Sequence, residues 1–193
     1  MARKTRKRCW WCGDDPLYVS YHDKEWGKPI RRDRKLFEML ILEGAQAGLS
    51  WITVLRKRDR YREQFRQFDP AVVAAFGKAD VQRMMADPGV IRNRAKLESA
   101  IDNARVFLKI RDEFGTFSKY LWGFVDGQPI IHRRRRPKDV PAKTPLAESL
   151  SKDLKTRGMR FVGPTILYAY MQSVGMVNDH LVDCFRYPEL GGR

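Results

Sequence analysis

The stretch Arg157-Gly158-Met159-Arg160-Phe161-Val162-Gly163 decides the fold, because it joins two helical patterns near the end of the chain. Thr144-Pro145 opens the helix before it, which we expect to end near Thr156. Gly163-Pro164 opens the last long helix after it. Two glycines bracket a compact hairpin, and Phe161 and Val162 within the stretch can plug between the two helices.

This hairpin has two interpretations. The first is an ordinary αα-hairpin, for which so short a linker is typical. However, the peptide N–H groups that lead into the last helix would point outward, where a phosphate binds well. Since the chain carries a formal net charge of +15, the second interpretation is a helix-hairpin-helix that holds a DNA backbone without reading its sequence.

Helical periodicity dominates the rest of the chain, and strand alternation is nearly absent. We therefore predict an all-α protein, with Gly127 to Pro141 as the best candidate for a loop. The other predicted helices run from an N-cap at Asp33 to about Ala47, from an N-cap at Ser50 through Phe65, over a short distance from Asp69-Pro70, and from about Ile91 to a stop at Gly115.

The composition fits one domain, or two small lobes that share a core, in a chain of 193 residues. The charge favours a polyanionic partner, nucleic acid before membrane. Two basic runs, Arg3 to Arg8 and Arg133 to Arg136, are expected to form a disordered arm and a solvated loop that strengthen phosphate binding. Polar residues and a proline interrupt the longest apolar segment, Phe161 to Val177, and no secretory signal is present. We therefore expect a cytoplasmic protein.

The two ends of the chain each carry half of a candidate metal site. Cys9 and His22 lie near the start, and His180 and Cys184 near the end. Two thiolates and two imidazoles form a complete tetrahedral zinc set without an open position, so the zinc would be structural. The spacing of His180 and Cys184 predicts that both lie on one helical face. Such a site would join the termini.

Other interpretations of these residues stay open. Each of the four could be an ordinary buried thiol or a core histidine. Cys12 makes a Cys-x-x-Cys pair with Cys9, which could be a redox dithiol or could offer zinc a rival ligand. No βαβ pattern surrounds the pair, so zinc is favoured over redox chemistry. The odd cysteine count favours a reducing compartment.

Glu43 stands where an apolar residue is expected, because positions 36, 39, 40, 43 and 47 share the pattern of a buried helical stripe. An ionised carboxylate is costly to bury, so Glu43 either reaches a cavity or pairs with a basic side chain. The small residues Gly44, Gly48 and Ser50, followed by Trp51, favour the cavity, because a ligand could approach closely there.

Five aromatic residues gather near the N-terminus, and an aromatic cluster is ordinarily core. On a basic protein they could instead form stacking walls for an extruded base. Asp23 and Glu25 lie in the same segment and are expected to be surface or capping groups. The aromatic residues are Trp10, Trp11, Tyr18, Tyr21 and Trp26.

Several independent motifs occur in a fixed order along the chain. They are Cys9-Trp10-Trp11, Asp15-Pro16-Leu17-Tyr18, Tyr21-His22-Asp23-Lys24-Glu25-Trp26-Gly27, Leu42-Glu43-Gly44-Ala45-Gln46-Ala47-Gly48-Leu49-Ser50-Trp51, Ile91-Arg92-Asn93-Arg94 and Val177-Asn178-Asp179-His180. Together these motifs resemble the bacterial DNA-3-methyladenine glycosylase I (Tag) family, over residues 8 to 188.

The resemblance implies a helix-hairpin-helix DNA glycosylase-like helical bundle, with a structural zinc joining the N- and C-termini. Residues 1–8 would be a basic arm, 9–188 a single glycosylase domain of two lobes and 189–193 a tail, in a monomer that binds alkylated double-stranded DNA. The implied zinc ligands are Cys9, His22, His180 and Cys184.

By the same resemblance, a flipped base would enter a pocket between the lobes, where Glu43 accepts hydrogen bonds from its edge. Leu49 would fill the gap left in the duplex. The pocket would be formed by Trp11, Tyr18, Tyr21 and Trp51. The backbone would be held by the hairpin and the helix start after it, through Gly158, Arg160, Gly163 and Thr165.

The implied activity is hydrolysis of the N-glycosidic bond of 3-methyladenine, the first step of base excision repair. Alkylation at N3 makes the base cationic and a good leaving group, which suits a carboxylate within an aromatic box. Asn178 stands at the place of the superfamily's catalytic aspartate. Thr165 stands at the place of the Schiff-base lysine of bifunctional members, so no lyase activity is expected.

Three alternatives accompany this hypothesis. A non-catalytic protein could bind alkylation damage with the same fold, and release of free base from alkylated DNA would separate the two. A broader glycosylase would also remove neutral lesions, which Asn178 and Thr165 disfavour. A zinc-stabilised RNA-binding module would fit the charge but would give Glu43 no role.

Overall fold

The computed structural model describes residues 6–193, so residues 1–5 of the predicted basic arm lie outside the described residues. The all-α prediction is confirmed in that the described chain is mostly helical, but it missed two short strands. The described chain folds into the helices α1 (Pro16–Lys24), α2 (Asp33–Gln46), α3 (Trp51–Gln64), α4 (Pro70–Ala74), α5 (Lys78–Ala86), α6 (Arg94–Phe114), α7 (Phe117–Gly123), α8 (Pro145–Thr156), α9 (Pro164–Ser173) and α10 (Arg186–Glu189), with the strands β1 (Ile130–Ile131) and β2 (Val177–Asn178).

Several helices begin where capping chemistry predicts. The side chains of Asp69 and Thr144 accept the first free N–H groups of α4 and α8, each ahead of a proline. Helix α6 begins at Arg94 rather than near Ile91, because the Asn93 side chain accepts the N–H of Lys96 and forms the cap.

Asp33 does not cap its own helix. It is the first residue of α2, and its carboxylate accepts the N–H groups of Phe117 and Ser118 at 3.0 and 2.9 Å. These are the first two residues of α7, so Asp33 stabilises the start of a helix that is distant in sequence. The prediction that Asp33 caps α2 is therefore wrong. Its carboxylate caps α7 instead and connects α2 to α7.

Three short helices, α1, α5 and α7, depart from the sequence prediction. No helix is predicted from the sequence before Asp33, yet Asp15 caps α1 and Pro16 opens it. The Asp80 carboxylate accepts the N–H of Gly77 at the start of α5, and Thr116 caps α7. Each of these helices spans nine residues or fewer. Their apolar stripes are therefore too short to show a clear helical period.

The predicted loop from Gly127 to Pro141 is fixed by a short parallel pairing. Strand β1 pairs with β2, and an isolated bridge between Arg134 and Leu181 continues the contact. Arg134 is consequently not a solvated member of its basic run, because its Nε donates to Asp179 at 3.2 Å. This corrects the expectation that the whole run is a solvated surface.

Helix α2 is the central element that positions the site. All its side chains from Leu36 to Ala45 are buried, and it packs against α3, α6 and α9. The hydroxyl of Tyr170 on α9 donates to the carbonyl of Leu36 at 3.1 Å, which fixes the two helices against each other. Glu43 therefore lies at the interior end of a rigid helix.

The predicted hairpin between α8 and α9 is present. Gly158 has φ +99°, a conformation that favours glycine. Met159 and Val162 are buried, whereas Phe161 is only half-buried, so of the two residues expected to plug between the helices only Val162 is fully buried. The amide group of Asn103 on α6 donates to the carbonyl of Arg160 and accepts its N–H, which clamps the hairpin.

Among the described helices, none combines the length and the apolar composition that a membrane crossing requires.

Candidate active site and metal centre

The two predicted pairs of metal ligands come together as one buried cluster. One ligand atom from each of Cys9, His22, His180 and Cys184 lies within 4.8 Å of the others. The Sγ of Cys184 lies 3.4 Å from His22 Nε2 and 3.4 Å from His180 Nδ1, and Cys9 Sγ lies 3.5 Å from His180 Nδ1.

These separations fit a tetrahedral metal. Zinc binds thiolate at about 2.3 Å and imidazole at about 2.0 Å, so a tetrahedral angle puts the sulfur and nitrogen ligands about 3.5 Å apart. The Cys9 thiol and the two imidazoles hydrogen-bond to Cys184 and lower the pKa of its thiol, whereas the contact with Cys184 and burial raise the pKa of the Cys9 thiol. A metal would therefore displace a proton from Cys9 when it binds. The cluster is thus a possible metal-binding site with no position for a substrate.

The remaining nitrogen of each histidine is also held. His22 Nδ1 lies 2.8 Å from a carboxylate oxygen of Asp23, and His180 Nε2 lies 3.3 Å from the carbonyl oxygen of Trp26. Arg8 in turn binds Asp23 through two guanidinium nitrogens. Asp23 is therefore an orienting partner of a ligand, not the surface or capping group that was expected.

Cys12 does not join the cluster. Its thiol is buried and donates to the carbonyl oxygen of Cys9 at 3.2 Å, and it is absent from the group of atoms that could share a metal. Among the described residues, Cys12 is therefore not a rival ligand for the metal.

His180 and Cys184 are close, but not on a helix as predicted. They lie on a turn that follows β2, in which the N–H of Cys184 donates to the carbonyl of Leu181 at 2.8 Å. The Asn178 side chain accepts the N–H of His180. A turn brings residues i and i+4 together as well as a helix does, so the spacing alone could not distinguish the two.

A cavity of about 170 Å³ opens beside this cluster. Aromatic side chains form most of its wall, and two carboxylates and two amides supply its polar groups. The lining residues are Trp10, Trp11, Tyr18, Tyr21, Trp26, Glu43, Gln46, Trp51, Val140, Ala169, Gln172 and Asp179. Every residue predicted for the base pocket thus lines the same cavity.

Glu43 reaches this cavity, and no basic side chain within residues 6–193 pairs with it. The residue is 3% exposed. Burial raises the pKa of its carboxyl group to about 8, and only the Ser173 hydroxyl opposes the shift. Within residues 6–193, Glu43 forms no salt bridge. Of the two alternatives for a buried glutamate, the structure therefore has the cavity and not the ion pair.

The aromatic wall is packed into one layer that also contacts the metal cluster. The rings of Tyr21 and Trp51 are 5.3 Å apart between centroids, and those of Trp11 and Tyr18 are 5.1 Å apart. Trp26 packs edge-on against His180 at 4.5 Å. The metal cluster thus supports the wall of the cavity.

Two polar wall residues, Asp179 and Gln172, were missed by sequence reasoning, which concentrated on Asn178. The Asn178 amide donates to the carbonyls of Tyr187 and Leu190, so it fixes the C-terminal segment and does not line the cavity. Asp179 beside it is fully buried. Its position one residue before a predicted ligand was the only available signal.

Asp179 is held as an anion by four donors. Burial would raise the pKa of its carboxyl group, but hydrogen bonds from its neighbours outweigh that effect and lower the pKa to about 2. The donors are His132 Nδ1 at 2.7 Å, Arg134 Nε at 3.2 Å, Gln172 Nε2 at 2.8 Å and the Tyr168 hydroxyl.

A second cavity of about 180 Å³ connects the first one with the predicted DNA-binding residues. It shares Glu43, Gln46 and Ala169 with the first cavity, and it reaches Leu49 and Thr165. Leu49 is 42% exposed, at the tip of the turn between α2 and α3. The ammonium group of Lys96 donates to the carbonyls of Ala45 and Ala47 and fixes that turn.

The start of α9 is open to solvent. Thr165 is exposed, and among the described residues its N–H and that of Ile166 have no hydrogen-bond partner. Arg160 is exposed too, although its guanidinium pairs with Asp102 at 2.7 Å. The hairpin therefore offers free N–H groups at a helix N-terminus, next to a basic side chain.

Comparison with known proteins identifies relatives over nearly the whole chain. A family model described as methyladenine glycosylase matches residues 11–187. DNA-3-methyladenine glycosylase 1 of Escherichia coli (strain K12) is 50% identical over 182 residues, which are 94% of this chain and 97% of that protein.

Solved structures agree with this match. A crystal structure of 3-methyladenine DNA glycosylase I (TAG) superposes with a TM-score of 0.92 at 50% identity, covering 94% of this chain and all of that chain. The Staphylococcus aureus enzyme, whose structure concerns the basis of 3-methyladenine recognition, gives a TM-score of 0.90 at 38% identity, with 92% of this chain and 96% of that chain covered. The family inferred from the sequence motifs is confirmed: the chain belongs to the methyladenine glycosylase family.

Proposed function

We propose that the protein is a monofunctional DNA glycosylase that flips 3-methyladenine out of alkylated double-stranded DNA and hydrolyses its N-glycosidic bond. The observation that carries this proposal is the buried Glu43 carboxyl group, which faces an aromatic cavity without a cation of its own. A base alkylated at N3 brings a positive charge into that cavity. It therefore supplies the partner that Glu43 lacks.

The aromatic wall supplies the rest of the recognition. Tyr21 and Trp51 stack on the flipped base, and Trp11 and Tyr18 line the cavity around it. Stacking against an electron-rich ring favours a cationic base over a neutral one. The pocket thus selects the class of lesion by charge as well as by shape.

The DNA lies across the hairpin and the tip of the α2–α3 turn. Leu49 enters the gap that the flipped nucleotide leaves. Gly158, Arg160, Gly163 and Thr165 hold the backbone, as in a helix-hairpin-helix of the DNA glycosylase superfamily. One protein occupies one lesion, which fits a monomer.

The reaction needs little chemistry from the protein. The bond between C1′ and the base nitrogen breaks, and its electron pair leaves with the cationic base, which becomes neutral 3-methyladenine. Water then bonds to C1′ and loses a proton to solvent, which gives an abasic site. The Glu43 carboxylate stabilises positive charge during this step. Thr165 provides no amine for a Schiff base, so strand cleavage does not follow.

The metal is zinc with a structural role. Cys9, His22, His180 and Cys184 hold it, and its bound form would join the N-terminal segment to the turn after β2. The zinc supplies stability to the fold and takes no part in bond breakage.

The proposal is tested by incubating the protein with methylated duplex DNA and separating the released bases by chromatography. Release of free 3-methyladenine with intact abasic strands is the expected result. Tight binding to the methylated duplex without any release would instead support a non-catalytic damage-binding protein. Release of neutral oxidised or mismatched bases at a similar rate would contradict the selection by charge.

A further inference from the structure

Gln172 lies on the wall of the base cavity contributed by α9, while Glu43 lies on α2. The two helices are packed together, so the Glu43 and Gln172 side chains line the same cavity from neighbouring helices. Gln172 is half-buried, and its backbone carbonyl accepts the N–H of Gly27 at 3.1 Å. The hydrogen bond from Gly27 therefore helps to fix the main chain of Gln172 beside the cavity.

The orientation of the Gln172 amide is set by its partner. Its Nε2 donates to an oxygen of Asp179 at 2.8 Å. A carboxylate with four donors around it can only accept, so the nitrogen must face Asp179 and the oxygen must face away. Arg134 and His132 donate hydrogen bonds to the other carboxylate oxygen of Asp179. Within residues 6–193, Gln172 Oε1 accepts no hydrogen bond.

This arrangement makes Gln172 a fixed acceptor in the cavity. Adenine carries a 6-amino group, a donor with two N–H bonds, whereas guanine carries an oxygen acceptor at the same position. A buried acceptor that meets an amino group gains a hydrogen bond, and one that meets a carbonyl is left unpaired.

We infer that Gln172 is a specificity-determining residue, whose side-chain oxygen accepts a hydrogen bond from the 6-amino group of the flipped base. Asp179 is the positioning residue, because it fixes the orientation of the Gln172 amide. The protein would then select 3-methyladenine over 3-methylguanine. This inference rests on the proposed function and adds the identity of the group that the pocket reads.

The test is a binding cycle between two proteins and two free bases, measured by calorimetry. The proteins are the wild type and Gln172→Leu, and the bases are 3-methyladenine and 3-methylpurine, which lacks the amino group. We expect Gln172→Leu to weaken binding of 3-methyladenine about tenfold and to leave binding of 3-methylpurine nearly unchanged. A purely structural role would weaken both bases equally and would overturn the inference.

Gln46 provides a matched control, because it is the other glutamine of the cavity and neither of its amide atoms has a hydrogen-bond partner in the described chain. Gln46→Leu is expected to affect the two bases alike. Should Gln172→Leu fold poorly, Gln172→Met keeps the side-chain length and enters the same cycle.

The role of Asp179 is tested separately on methylated DNA. In Asp179→Asn the side chain can offer N–H to Gln172, so the Gln172 amide turns over and presents its donor to the base. The ratio of 3-methylguanine to 3-methyladenine released should then rise at least about tenfold. An unchanged ratio in the folded variant would overturn the positioning role, whereas absence of release by the wild type would overturn the proposed function itself.

Discussion

At Glu43, burial without a cation gives the carboxyl group a pKa of about 8, against an ordinary value of 4.5. The neutral form therefore predominates in the empty cavity at neutral pH. A cationic base favours the ionised form, so binding of such a base is coupled to release of a proton. The same coupling links Glu43 to the stability of the fold.

We expect the free energy of unfolding to carry a pH signature of Glu43. Because the folded pKa lies above the unfolded one, the contribution of Glu43 is fully present below pH 4.5 and is lost as the pH rises to 8. At about 1.4 kcal/mol per unit of separation, Glu43→Gln should gain several kcal/mol relative to the wild type over this window. Urea unfolding at both ends of the window measures it, and parallel pH profiles for the two proteins would contradict the burial effect.

Asp23 gives a second test at the scale of one residue. It orients His22, so Asp23→Asn should lower the affinity for zinc by about tenfold to a hundredfold. The rate of zinc transfer to a coloured chelator measures this change. Asp183→Asn is the matched control, since Asp183 is exposed and its salt-bridge partner among residues 6–193 is Lys7, not a histidine. Equal transfer rates in the two variants would argue against an orienting role.

Single residues were predictable where their chemistry is unusual for their position. Glu43 interrupts an apolar stripe, and the four metal ligands are rare residue types in close pairs. Asp179 and Gln172 gave no such signal, because an aspartate or glutamine is ordinary in any loop or helix. Their importance arises from neighbours such as His132 and Arg134, which are distant in sequence.

At the scale of elements, the open N-terminus of α9 should bind phosphate. Thr165→Glu puts a negative charge there. Its interaction with the helix dipole should stabilise the fold by about 0.3–1 kcal/mol, but the charge repels the DNA phosphates. We expect the melting temperature to hold or rise while affinity for duplex DNA falls at least about tenfold. Ala71→Glu makes the same change at the start of α4, and an equal loss of DNA affinity there would remove the case for a specific site.

Elements with strong end signals were predicted well. The hairpin and the starts of α4, α8 and α9 follow from glycine, proline and capping residues. The pairing of β1 with β2 could not be predicted, because two-residue strands show no alternation and their partner is chosen by the tertiary fold. The turn from His180 to Cys184 brings residues i and i+4 together as a helix would. The hydrogen bond from the His180 N–H to the Asn178 side chain shows that the segment is a turn.

For the whole molecule, the metal cluster links the N-terminal segment to the C-terminal turn. Removal of zinc by a chelator should therefore lower the melting temperature by about 10 °C or more. Cys184→Ser should reproduce the loss without a chelator, whereas Cys12→Ser should retain zinc, because Cys12 lies outside the cluster. A chelated protein with unchanged melting would show that the termini are held together by packing alone.

The net charge of +15 was a correct guide to the class of partner only together with the site. Charge indicates a polyanion, but it cannot distinguish DNA from RNA or binding from catalysis. The cavity narrows the choice to a partner that carries a cationic base, and it depends on how α2, α9 and the N-terminal aromatic residues meet. The meeting of these elements is a property of the tertiary fold. The family motifs in the sequence implied that fold, whereas charge alone did not.

The most direct measurement is single-turnover release of 3-methyladenine from methylated duplex DNA by the wild type and by Glu43→Gln. We expect the wild type to release the base and the variant to be slower by about tenfold to a hundredfold. Glu38→Gln is the matched control, because Glu38 is buried on the same helix but pairs with Lys35 and Arg62 outside the cavity. Equal rates for the wild type and a folded Glu43→Gln would contradict the role of Glu43 in excision.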